Sequence, residues 1–206
     1  MKRSALLLFV AIAACAGPSA RPESEPFVDV AETAPHIVLD IRYATEDNFT
    51  GKVLYPEKRC LLRRSTARKL RLVQQDLEKI GLGLKAWDCY RPLHIQHKLW
   101  ALVPDPRYVA NPEKGSRHNR GAAVDVTLVN AEGAEQEMPT GYDDFSKRAH
   151  WDSVDGTALA IKNRNILRDV MMKNGFMPLR TEWWHFDAPD WRSHSLFDAS
   201  FEKALE

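Results

Sequence analysis

Apolar residues along this chain recur with two periods. From Ser65 to Ile80 the residues Leu70, Val73, Leu77 and Ile80 return at helical spacing, with Ser65 or Thr66 placed to cap the start and Gly81 just past the end. Thr157 to Asn174 repeats the pattern with Leu159, Ile161, Ile166, Leu167, Val170 and Met171, and Gly175 stops it. A shorter helix opens at Arg91-Pro92 and runs to about Leu102, because proline early in a helix lacks only an N–H that would have no partner there. Between the helices lie shorter, denser apolar runs at Ile37 to Tyr43, Leu84 to Cys89, Ala122 to Leu128 and Arg180 to Phe186, which read as strands. Asp47 to Gly51 is a turn, and residues 104–120 are loop-like. Strands and helices interspersed at uneven spacing predict an α+β fold. The expectation is one domain with a mainly antiparallel central sheet flanked by helices.

The start of the chain belongs to none of these elements. Lys2 and Arg3 precede an apolar run from Ala5 to Ala14, too short for a membrane span and shaped as an export signal. Ile12-Ala13-Ala14-Cys15 resembles the bacterial lipobox, so residues 1–14 read as a signal peptide of lipoprotein type with Cys15 the acylated residue; ordinary cleavage after Ala16 also fits. Residues 15–35, rich in Pro, Ser and Glu, read as a flexible tether, and the folded domain as 36–206. The expected location is the periplasm or cell envelope, with membrane contact only through the lipid anchor.

Composition narrows the chemistry. Among 206 residues, 29 basic against 28 acidic side chains without a basic run give no footprint for nucleic acid. With only Cys15, Cys60 and Cys89 there is no cysteine zinc ribbon, so a metal site must use His and carboxylates. Export would place Cys60 and Cys89 where a disulfide persists, and a bridge between them is the expectation, two buried thiols the alternative.

The most informative stretch is Ser116 to Asp125. On a strand from Ala122 to Leu128, Ala123, Asp125 and Thr127 share one face, while Ala122, Val124, Val126 and Leu128 share the other and look like core. Asp125 is then a mid-strand carboxylate that needs a cation or a metal if buried. His118 can fold back toward it; alone the two would more readily form a structural His–Asp hydrogen bond. Glu182-Trp183-Trp184-His185 adds a second imidazole and a spare carboxylate. Two His, one Asp and an open position make a three-ligand catalytic metal site. Residues three apart on an ideal strand face opposite ways, so Glu182 and His185 share a site only where the strand bulges or ends. At least one of Trp183 and Trp184 reads as core or cleft wall. Arg91 stands where a strand meets a helix, where it either stabilises an oxyanion or pairs structurally with Asp88.

Together these segments resemble the zinc D-alanyl-D-alanine dipeptidases of the VanX type, within the zinc D-Ala-D-Ala peptidases that share the hedgehog-like fold. The match includes Asp40 to Gly51, Asp88 to Pro92, the S-x-H-x-x-G-x-A-x-D pattern at Ser116 to Asp125, Met138 to Asp143, and Glu182 to His185. The resemblance implies one zinc ion on His118, Asp125 and His185, Glu182 as general base, Arg91 as transition-state stabiliser, and a narrow cleft closed around the free dipeptide D-Ala-D-Ala. Recognition of a free ammonium needs an acceptor at the cleft end, for which Asp143 is the candidate. Tyr43 and Ser116 are further candidates for substrate contact, against readings as a packed tyrosine and a turn serine. Cys89 departs from the family's cytoplasmic members and, with Cys60 and the export signal, suggests an envelope variant, while Pro139 alters the Met138 to Asp143 pattern and leaves dipeptide specificity less fixed than zinc hydrolysis. His36, His94, His97, His150 and His194 match no motif and read as structural or surface residues.

The function expected is hydrolysis of D-Ala-D-Ala in peptidoglycan turnover or scavenging. A cytoplasmic vancomycin-resistance role fits poorly with an export signal. The alternatives are a D,D-carboxypeptidase or endopeptidase on peptidoglycan peptides and a non-catalytic wall-binding module, against which the spare carboxylate Glu182 argues.

Overall fold

The computed structural model describes residues 25–206, so the expected signal segment and Cys15 lie outside the described residues. The chain enters through a short strand, β1 (Phe27–Asp29), and a single helical turn, α1 (Val30–Thr33), capped by Asp29, whose Oδ1 accepts from the Ala31 N–H at 2.9 Å. This corrects the tether, expected to run to residue 35. Phe27 and Val30 are buried, and the segment pairs with a later strand, because two apolar anchors suffice to dock it despite the polar composition around them.

The strand expected over Ile37 to Tyr43 shrinks to β2 (Val38–Leu39) followed by a 3₁₀ turn at Arg42–Ala44. Next come β3 (Leu61–Arg63), which pairs with β1, and α2 (Arg64–Glu78). Helix α2 buries Leu70, Val73 and Leu77 as its spacing predicts, but it starts at Arg64 without a side-chain cap from Ser65 or Thr66, and Ile80 lies beyond its end, largely exposed. Gly81 ends the excursion with φ 73°, a left-handed conformation that glycine adopts without penalty. Strand β4 (Leu82–Asp88) leads through Pro92 into α3 (Leu93–Leu102), and β5 (Ala123–Asn130) is the longest strand. Helix α4 (Ala158–Lys173) is capped by Thr157, whose Oγ1 accepts from the Ala160 N–H at 3.0 Å. The last expected strand is a hairpin, β6 (Met177–Leu179) with β7 (Glu182–Asp187), and α5 (Phe201–Ala204) packs Phe201 against Tyr55 and Tyr90.

The main sheet has the order β2-β4-β5-β7-β6, antiparallel at every pairing except β2 with β4, in agreement with the expected fold class. Ala122, Val124, Val126 and Leu128 are all fully buried, as the alternation required. The opposite face of β5 is buried too, since the Tyr142 hydroxyl reaches across to Asp125 from the long connection between β5 and α4. Register decides what meets on that face. Asp125 stands opposite His185 on β7 and opposite Asp88 on β4, so one row across the sheet reads Asp88, Asp125, His185. Adjacent residues on paired strands have Cβ atoms about 5 Å apart, which is hydrogen-bonding range for these side chains.

Candidate metal centre and catalytic cleft

His118 comes to this row from outside the sheet. It opens a 3₁₀ turn, His118–Arg120, that ends at Gly121 with φ 66°. A Cβ on Gly121 would lie 2.1 Å from a ring carbon of Phe27, so both the backbone conformation and the close approach demand glycine there. The turn carries the His118 imidazole back over Asp125.

Three ligand atoms converge as a result. His185 Nδ1 lies 2.9 Å from Asp125 Oδ1, His118 Nε2 lies 3.3 Å from the same oxygen, and the two ring nitrogens are 3.1 Å apart. Ligands about 2.0–2.1 Å from one tetrahedral ion stand roughly 3.3 Å from each other, so the triangle has the size an ion needs. The outer partners settle which atoms face inward. His118 Nδ1 donates to the Cys89 carbonyl at 2.7 Å, His185 Nε2 donates to Asp187 Oδ1 at 2.9 Å, and Asp125 Oδ2 accepts from the Tyr142 hydroxyl at 2.8 Å. Each ring spends its N–H outward, so the neutral rings and the carboxylate all turn lone pairs on one point. Burial raises the Asp125 carboxyl pKa, but the neighbouring imidazoles outweigh it and hold the group well below its usual range. For His185 burial opposes charge, and the hydrogen bonds to Asp125 and Asp187 more than offset it, so the carboxylates call for a cation between them. His118, Asp125 and His185 are the one group of this kind found among the described residues.

Glu182 joins this site because the hairpin is irregular, as the three-residue spacing required. A single step from Pro178 to Leu179 on β6 matches four positions on β7, from Phe186 back to Glu182. The excursion turns the Glu182 carboxylate to 4.0 Å from His185 Nδ1 without making it part of the triangle. Burial pushes its pKa up to about 7, against the pull of the imidazole beside it. Trp183 and Trp184, next in sequence, are both core residues, and Trp183 donates its indole N–H to Thr140 Oγ1 at 2.8 Å.

Arg91 makes the structural pair that one of its two sequence readings called for, and it also lines the cleft. It pairs with Asp88, donating from Nε at 3.1 Å and Nη2 at 2.6 Å, and Nη1 donates to Gln96 at 2.9 Å. Three of its five N–H groups are thus fixed, while the guanidinium still lines the cleft with two to offer. The cleft, about 160 Å³, also takes in Asp143, Tyr43 and Ser116. That is below the ~300–1,000 Å³ of pockets for drug-sized ligands, a size suited to a small substrate. Asp143 adopts φ 54°, which turns its carboxylate into the cleft, where the Tyr43 hydroxyl donates to it at 3.1 Å. Burial, reinforced by the charge of Asp125, raises the Asp143 pKa well above the usual range, so the group holds its proton unless a cation beside it offsets the burial. Ser116 serves its own turn, its Oγ accepting from the His118 N–H at 3.3 Å.

The sequence profile of the D-ala-D-ala dipeptidase family matches residues 23–203. This chain belongs to that family. Among curated relatives, the D-alanyl-D-alanine dipeptidase of Escherichia coli is 35% identical over 87% of this chain and 93% of its own length. Those of Enterococcus faecalis and Streptomyces coelicolor are each 32% identical, covering 73% and 78% of this chain and 85% and 90% of their own.

Two members of this dipeptidase site escaped the sequence reading. Asp187 lies two residues after His185 on β7, so the same alternation that defines a strand face would have placed it beside the imidazole. Tyr142, adjacent to Asp143, left no signal, because its reach to Asp125 depends on how a long loop folds back. Of the histidines matching no motif, His36 and His94 sit on the surface beside Glu78 and Asp198, and His194 is buried. Cys60 and Cys89 are bridged, with Cα atoms 5.1 Å apart.

Proposed function

We propose that this chain is a zinc-dependent dipeptidase of the cell envelope that hydrolyses free D-Ala-D-Ala to two D-alanines. The observation that carries the reading is the convergence of three lone pairs beside a buried carboxylate that is not one of them. A purely structural site has no use for the spare base. Zinc suits two nitrogens and one oxygen at this separation, and held so it acidifies water to a pKa of about 7 and polarises an amide carbonyl.

The chain's own groups supply the rest. Glu182, at the edge of the ligand triangle, accepts the proton of the attacking water and delivers it to the departing amine. Arg91, locked by Asp88 and Gln96, presents its two remaining N–H groups to the oxyanion, and its rigidity means little reorganisation as charge develops. Asp143 accepts the substrate ammonium, with Tyr43 orienting it and Ser116 beside the ligand turn. Residues 1–14 as an export signal, Cys15 as a lipid attachment site and the Cys60–Cys89 bridge support an oxidising envelope location, in peptidoglycan turnover or scavenging.

The test is D-alanine release from free D-Ala-D-Ala and from an N-acetylated tripeptide ending in D-Ala-D-Ala, using metal-free and zinc-restored protein. Zinc-dependent cleavage of the free dipeptide alone supports the proposal. Cleavage of the blocked peptide alone transfers it to the carboxypeptidase reading.

A further inference from the structure

Behind the catalytic cleft lies a second cavity of about 240 Å³. Arg107, Tyr108, Phe145, Thr181 and Glu182 line both, so they stand between the two spaces. The bulk of that wall is an aromatic stack. Tyr108 and Phe145 have ring centroids 4.8 Å apart and planes inclined by 30°, and Phe49 braces Phe145 edge-on at 5.4 Å. The rings come from three separate loops: Phe49 from the turn after β2, Tyr108 from the loop after α3, and Phe145 from the connection between β5 and α4.

The stack's position along the substrate follows from Asp143. Phe145 is two residues beyond it, and the left-handed conformation at Asp143 sends the carboxylate into the cleft while the chain runs on to the wall. Asp143, Tyr108 and Phe145 line the same cleft, so an ammonium held by Asp143 shares that space with the aromatic stack. The second cavity adds Lys147, Asp144, Ser146 and His150, polar groups of the kind that pair with a peptide unit.

We propose that the Tyr108–Phe145 stack sets substrate length, sealing the amino end of the cleft against anything longer than a dipeptide. The cavity behind it is a latent subsite for one more residue of a wall peptide. This rests on the assignment of Asp143 to the substrate ammonium. Removing the stack joins the two cavities through their shared lining and converts a dipeptidase toward a D,D-carboxypeptidase.

The experiment compares the wild type with Tyr108→Ala, Phe145→Ala and the double variant, each zinc-loaded and checked for folding by circular dichroism. The readout is the ratio of kcat/KM on an N-acetylated tripeptide ending in D-Ala-D-Ala to that on the free dipeptide. The expected result is a ratio at least tenfold higher in the double variant and an intermediate rise in Tyr108→Ala, the variant least able to disturb folding because the Tyr108 ring meets Phe145 and the Arg107 guanidinium on surface loops. An unchanged ratio in a folded Tyr108→Ala that still cleaves the dipeptide overturns the proposal, as does wild-type protein cutting both substrates equally. Asp143→Asn separates the two assignments. If that variant loses no preference for the free amine, the ammonium assignment fails, whereas its loss together with an unmoved ratio in the stack variants refutes the stack alone.

Discussion

Breaking the Cys60–Cys89 bridge should weaken metal binding as well as the fold. The bridge closes a 29-residue separation. Loop-closure entropy for that length corresponds to about 3.6 kcal/mol at 25 °C, inside the usual range of 2–5 kcal/mol for a native disulfide. For a domain of this size each kcal/mol shifts Tm by about 2–4 °C, so Cys60→Ala/Cys89→Ala is expected to melt about 7–14 °C lower than wild type. The bridge also fixes a segment with three tasks. Asp88 holds Arg91, the Cys89 carbonyl accepts the His118 N–H at 2.7 Å, and the Tyr90 N–H pairs with Leu61 beside Cys60. Loosening the carbonyl frees the ring that it orients, and loss of such an outer partner costs about 10–100-fold in metal affinity. A loss near tenfold is expected, since the carbonyl remains and only its position relaxes. Urea titration gives the stability term, and chelator competition far below the variant's midpoint gives the metal term without interference from unfolding. A stability loss under ~1 kcal/mol, or wild-type zinc affinity in the folded variant, would refute the reasoning.

Glu182→Gln should keep the metal but lose about 10²–10⁴-fold in kcat, measured on the free dipeptide with metal content checked by elemental analysis. As a base Glu182 must be ionised, so wild-type kcat/KM falls as pH drops through its pKa; burial raises that to about 7 against the pull of the neighbouring imidazoles, and an adjacent metal cation moves it lower. Asp187→Ala should lower metal affinity by about 10–100-fold with a smaller change in kcat at saturating zinc, because Asp187 fixes the His185 tautomer rather than touching substrate. Gly121→Ala should destabilise by about 2–4 kcal/mol through the left-handed backbone and the collision with Phe27, read by denaturant unfolding.

The parts legible in the sequence were those governed by local rules. Alternation along Ala122 to Leu128 separated core from site face, and the side chains of His118, Asp125 and His185 meet as their chemistry suggested. What escaped depended on distant contacts. Val30 and Phe27 docked a stretch whose composition suits a tether, because burial of two side chains outweighed the polarity of their neighbours. Ile80 fitted the helical period yet emerged into solvent, since α2 stops at Glu78 before the next turn can face the core.

The two irregular pairings explain how a candidate metal site can be built on a sheet at all. A regular antiparallel pair brings cross-strand neighbours together but separates residues one or three apart along each strand. Asp125 and His185 meet by register alone, and that supplies two ligands. The base and the arginine need departures from it. The shift between Ala86 and Asp88 puts Asp88 in the Asp125 row, where it anchors Arg91, and the excursion on β7 turns Glu182 to the same side as His185. The third ligand and its outer partner come from segments pinned by Gly121 and by the disulfide. Regular pairing thus brings two of the three candidate ligands to within hydrogen-bond distance, while Glu182 and the Asp88 anchor of Arg91 sit where the regular pattern fails. Restoring regular pairing at either shift should therefore cost activity before it costs the fold, because Asp125 and His185 keep their register with each other while Glu182 and the Asp88–Arg91 pair lose theirs.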